Sequence, residues 1–145
     1  MIRSIFIIHE SGLCLLSRSY GDESQNIDLY SGFLVAVSSF AKNMIGEKIN
    51  EIRMEHHIIF YESKKEIVLA LVTSGKNISK RKISTIMRRI YFNFVDHYHE
   101  FLEQELIEPN IYRDFSIIID NILETSGLMK LDRSSLENES ISSIH

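Results

Sequence analysis

Two kinds of apolar run alternate along this chain. Ile2-Arg3-Ser4-Ile5-Phe6-Ile7-Ile8 and Ile67-Val68-Leu69-Ala70-Leu71-Val72 are apolar at both parities, the mark of strands buried on both faces. In the first, alternation places Ile5 and Ile7 on one side and Ile2, Phe6 and Ile8 on the other. Leu13 to Tyr20 reads as a second strand, joined to the first through Glu10-Ser11-Gly12, whose turn chemistry predicts a β-hairpin. Its polar end, Ser17-Arg18-Ser19-Tyr20, suits a sheet edge, and Gly21 to Asn26 reads as a loop. From Ile27 the period lengthens. Tyr30, Phe33, Leu34, Val37, Phe40, Ala41 and Met44 recur at three- and four-residue steps, predicting an amphipathic helix laid flat on a sheet. Asn26 or Asp28 can cap its start, and Gly46 fits the left-handed position past its end.

Three strands are expected next, over Lys48 to Glu55, His57 to Glu62 and Glu66 to Thr73, with breaks at His56 and at Ser63-Lys64-Lys65. A long helix from about Ser79 to Leu106 places Ile83, Met87, Ile90, Phe94, Tyr98, Phe101 and Leu102 on one stripe, leaving Tyr91 and Phe92 off it. After Pro109 a third helix carries Ile111, Phe115, Ile118, Ile122 and Leu123 as far as Gly127. Residues 127–145 contain five serines and little periodicity, and read as a flexible tail in which Leu136, Ile141 and Ile144 are a weak docking segment. The expected division is one domain over 1–126 followed by that tail.

Composition narrows the picture mainly by exclusion. The 145 residues suffice for one domain with its own core. A net charge of −4 argues against a dedicated nucleic-acid binder, which needs a basic excess. Cys14 is the sole cysteine, so neither an intrachain disulfide nor a thiolate zinc site can form. No apolar run approaches the ~20 residues that span a bilayer, and no signal peptide is evident, so a cytoplasmic protein is expected, at most peripheral to membranes.

Candidate chemistry is sparse. His97 and His99, two apart on a helix, diverge, as do His56 and His57, so no metal is expected. His9 and Cys14 flank the first turn, yet no oxyanion hole or orienting group accompanies them, and Cys14 in an apolar strand reads as a small hydrophobe. Glycine-rich phosphate loops are absent from the sequence. The expectation is no enzyme and no cofactor. One charge pattern stands out on the long helix: Lys80, Arg81, Lys82, Arg88 and Arg89 come first, Asp96, Glu100, Glu103 and Glu105 last, against the helix macrodipole. With Lys76, and Lys64 and Lys65 as extensions, Lys80, Arg81, Arg88 and Arg89 form a candidate basic patch for an acidic protein or a lipid surface.

Met1 to Gly12, followed by Leu15 and Tyr20, resembles the opening of longin-type chains such as small clathrin-adaptor subunits. Ser31-Gly32-Phe33-Leu34-Val35-Ala36-Val37 resembles the first helix of archaeal longin-like proteins. The resemblance implies an α+β, profilin-like fold in the order β-β-α-β-β-β-α-α. Its five-stranded antiparallel sheet has the first and last strands in the middle, one helix on one face and two on the other. It further implies a non-enzymatic protein–protein interaction module of small-GTPase regulation or vesicle trafficking, pairing with a GTPase, another longin or roadblock-like domain, or itself as a dimer. The heptad region and anchor of longin SNAREs are missing from this sequence. Partner contact is expected at the edge strand through Ser17, Arg18 and Tyr20, at the exposed side of the first helix with Ser31 and Ser38, and at the basic patch. The alternative is a small-molecule sensor, which requires an apolar cavity of roughly 300 Å³ or more between helix and sheet.

Overall fold

The computed structural model describes residues 2–21, 26–75, 78–102 and 109–127. Lys76 and positions 128–145, with the tail's Leu136, Ile141 and Ile144, lie outside them. Five antiparallel strands form one sheet: β1 (Ile2–His9), β2 (Cys14–Ser19), β3 (Glu51–Arg53), β4 (His57–Lys64) and β5 (Ile67–Ser74). Their order is β2-β1-β5-β4-β3, so the two runs apolar at both parities are neighbours near the centre. Helix α1 (Ile27–Phe40) covers one face, while α2 (Lys80–Leu102) and α3 (Phe115–Thr125) cover the other. This is the α+β layout, one helix against two, that the longin resemblance implies.

The sheet divides the core in two. Phe6, Ile8, Val68, Ala70 and Val72 meet Leu34 and Val35 of α1. Ile5, Ile7, Leu69 and Leu71 meet Ile83, Met87, Ile90 and Phe94 of α2 and Phe115, Ile119 and Leu123 of α3. Ile2 joins this second set, contrary to simple alternation. A register irregularity between Ile2 and Ser4 opposite β5 inserts a residue, and the one-residue slip turns Ile2 to the other face.

Other corrections concern element ends. β3 is confined to three residues, and β4 runs through the expected break to Lys64, turning at Lys65, whose φ of 52° is unusual for a lysine. α3 begins at Phe115, because Pro109–Tyr112 first makes a separate 3₁₀ turn that buries Tyr112 between Phe94 and Tyr98. Tyr91 lies in the core, whereas Phe92 stays outside. α1 starts on the Asn26 side chain, which accepts from the Leu29 N–H at 3.1 Å. It continues through a π-helical turn (Ala41–Ile45) to Gly46, whose φ of 82° takes the left-handed position foreseen for it.

Burial gives the fold a measurable alkaline limit. Tyr61 is buried against α1, its hydroxyl donates to the Leu34 carbonyl at 3.4 Å, and desolvation pushes its pKa up to about 12. Burial and then the Asp120 carboxylate push Tyr20 up further. Both phenols stay protonated in the folded state where an unfolded chain would ionise them near pH 10. Their contribution to stability is therefore full below pH 10 and is lost as pH rises towards 12, at up to about 1.4 kcal/mol per unit for each group. Urea midpoints measured from pH 8 to 11.5 should fall steeply only above pH 10, and Tyr61→Phe should make the fall shallower.

Candidate functional site

α1 packs on the sheet through a narrow stripe of Ser31, Leu34 and Val35, continued by Ala41. The rest of its apolar surface faces solvent. Leu29, Phe33, Phe40, Met44 and Ile45 are 54–72% exposed, with Ile27 and Tyr30 at the margin. The predicted stripe is thus corrected: Phe33, Phe40 and Met44 turn away from the sheet. Residues 29 to 45 extend over roughly 24 Å at 1.5 Å per residue, a long apolar ridge for a surface.

A groove runs beside the first half of this ridge. Phe33, Leu29 and Tyr30 form one wall, Met54 the other, and Ile59 and Val72 of the sheet the floor, with Arg3 and His57 as its polar members. Its volume is about 520 Å³. It exists because α1 covers the β1 side of the sheet, where Tyr30 stacks flat on Phe6 at 5.6 Å, and leaves the β4 side less covered. The groove is half open and continuous with the ridge, so the two make a single apolar surface.

The residues expected at a partner surface have other neighbours. Asp120 of α3, buried, accepts from Arg18 through a bidentate pair, Nε to Oδ1 at 3.1 Å and Nη2 to Oδ2 at 2.9 Å. The Tyr20 hydroxyl donates to the same carboxylate at 2.5 Å, and the Arg18 guanidinium lies 5.3 Å from the Tyr20 ring centroid. Arg18 and Tyr20 therefore tie β2 to α3. The 3₁₀ turn also packs beside β2, which covers part of the edge expected to be open. Ser31 has no exposed surface and faces the Cys14 thiol, while Ser17 and Ser38 are half-buried.

Of the expected basic patch, Lys80 bonds to Glu51, whose carboxyl it holds below the usual range, with Arg53 on the same carboxylate at 3.1 Å. Arg81, Arg88 and Arg89 are exposed on α2, and Lys82 joins them. His9 Nδ1 is engaged with Ser11 within the hairpin turn, at 2.8 Å from its hydroxyl. Burial raises the Cys14 thiol pKa, the wrong direction for a nucleophile. Among the described residues no three His, Cys, Asp or Glu side chains group as metal ligands, and no helix is long and apolar enough to cross a membrane.

The serines expected on the exposed side of α1 do not mark it, since Ser31 is buried and Ser38 half-buried, and the sequence does not single out the apolar residues that dominate that side. A signal is nevertheless present: nine of the fourteen residues in Ile27–Phe40 are apolar and they surround the helix, a pattern of helices covered on more than one side.

No protein-family model matches the sequence, and no curated protein matches it. Among solved structures the chain superposes on the gliding protein MglB from Thermus thermophilus, at 16% identity and a TM-score of 0.44, over 50% of this chain and 61% of that one. A structure described as MglB with tetrameric arrangement gives 15%, 0.44, and coverage of 50% and 60%. A roadblock/LC7 domain from Streptomyces avermitilis gives 11% and 0.47, over 71% of this chain and 87% of that one. This chain spans about three fifths of the length of the MglB structures it matches. The α+β class rests on the strand order itself.

Proposed function

We propose that this chain is a non-enzymatic protein–protein interaction module whose docking surface is the ridge of α1 with its adjoining groove. The observation that carries this reading is the run of large apolar side chains left in water on α1, which covers that side of the sheet. Isolated exposed hydrophobics need no explanation, but a contiguous row of them marks an interface. Its length favours a folded protein over a small ligand, since roughly 24 Å matches a helix packing along α1. The partner is a small GTPase or another longin or roadblock-like domain, in keeping with the longin resemblance of the opening hairpin and first helix. A trafficking-like assembly and a cytoplasmic location belong to the same proposal.

Native mass spectrometry of the full chain purified from its own cells tests it. The expected result is a stoichiometric complex with a small GTPase, dependent on its bound nucleotide, or with a longin or roadblock-like domain. A second reading, a small apolar ligand in the 520 Å³ groove, is favoured by Arg3 and His57 beside an apolar floor. A bound molecule of a few hundred daltons with no protein partner would support that reading and overturn the first.

A further inference from the structure

The opposite side of the molecule carries a second surface of different chemistry. At 100° per residue, Arg81, Lys82, Thr85, Arg88, Arg89 and Phe92 fall on one outward face of the first four turns of α2. All six are exposed. Among the described residues, none of the four cations forms an ion pair, although acidic residues outnumber basic ones in the chain. Phe92, 57% exposed, closes that face at its C-terminal end, one turn beyond Arg88 and Arg89, and Lys64 of the β4–β5 hairpin reaches to 5.3 Å from its ring centroid. At the start of the face a shallow groove of about 270 Å³, bounded by Arg81, Lys82, Thr85, Arg89 and Ser126, has room for a phosphate group.

We infer that this face of α2 docks on an anionic lipid bilayer, with the four cations at the headgroup phosphates and Phe92 entering the interface. Cations on one helical face beside an exposed aromatic are what an interfacial helix presents to such a surface, and each Lys or Arg near it contributes attraction that falls within a Debye length. An acidic protein would be met by the cations but offers less reason for an exposed phenyl ring among them. Asp96 and Glu100 continue the same face towards its C-terminal half and set the limit of the contact. α1 and α2 lie on opposite faces of the sheet, so a bilayer on one side leaves the α1 ridge free on the other. The inference does not depend on what α1 binds.

Co-sedimentation of the full chain with two vesicle preparations tests it, one of phosphatidylcholine alone and one with 30% phosphatidylserine. A chain of net charge −4 should be repelled by the second unless a local patch overrides the repulsion. The expected result is binding to the phosphatidylserine vesicles alone, weakening as salt rises from 50 to 500 mM. Arg88→Gln with Arg89→Gln should weaken it about thirty-fold. Phe92→Ser should remove the part that survives high salt, and Lys42→Glu, the same net charge change beside α1 on the other side, should leave binding intact. Equal binding to both vesicles, equal weakening by Lys42→Glu, or capture of a soluble acidic protein by the patch without vesicle binding would overturn it.

Discussion

Asp120→Ala should lower the stability of the folded chain by about 3 kcal/mol, seen as a fall of roughly 10 °C in melting temperature and a matching shift in the urea midpoint. The carboxylate is the shared acceptor for the Arg18 fork and the Tyr20 hydroxyl, and removing it leaves a guanidinium and a half-buried phenol without that partner. Losing one member of a buried pair costs 3–5 kcal/mol, because the remaining charge is stranded. The lower end applies here, since the Arg18 side chain keeps 20% of its surface in water. Tyr20→Phe removes one hydrogen bond and leaves the ion pair, so about 1 kcal/mol is expected. Replacing both charges together, as Arg18→Met with Asp120→Leu, should recover most of the loss. If Asp120→Ala melts within a degree or two of the parent, the carboxylate is not what holds β2 to α3.

That network also shows where the sequence stops being informative. Arg18 and Asp120 are 102 residues apart, and nothing local to either predicts the other, so a polar strand end reads as an open edge. The two central strands were legible because residues apolar at both parities admit only burial on both faces. Most of the core stripe of α2, from Ile83 to Phe94, is legible for the complementary reason that polar residues fill much of the rest of the helix, although Tyr91, off that stripe, joins the core as well. α1 lacked that contrast. With apolar residues around most of its circumference, periodicity identifies a helix but not the side turned to the sheet, and Leu34 and Val35 prevail over Phe33 and Phe40 through contacts with strands distant in sequence. Ile2 was misplaced by a bulge that only pairing with β5 reveals.

The ambiguity that obscured α1 is also what makes its surface testable. Phe33→Asp combined with Phe40→Asp should abolish partner capture, at least a hundredfold, while leaving the fold intact. Both rings are more than half exposed, so replacing them removes little buried area, and surface changes of this kind stay near 0.5 kcal/mol apart from the modest helix propensity of aspartate. In a complex the balance reverses. Each ring would fill a partner's pocket, where an aromatic anchor is commonly worth 2 kcal/mol or more, and the substituted carboxylates would be desolvated without partners. Affinity measured by titration calorimetry, beside a circular-dichroism melt of the same variant, separates the two effects. Unchanged affinity would remove α1 as the docking surface. A large loss of stability would instead mean that the rings support the fold, in which case Phe33 and Phe40 owe their exposure to something other than an absent partner.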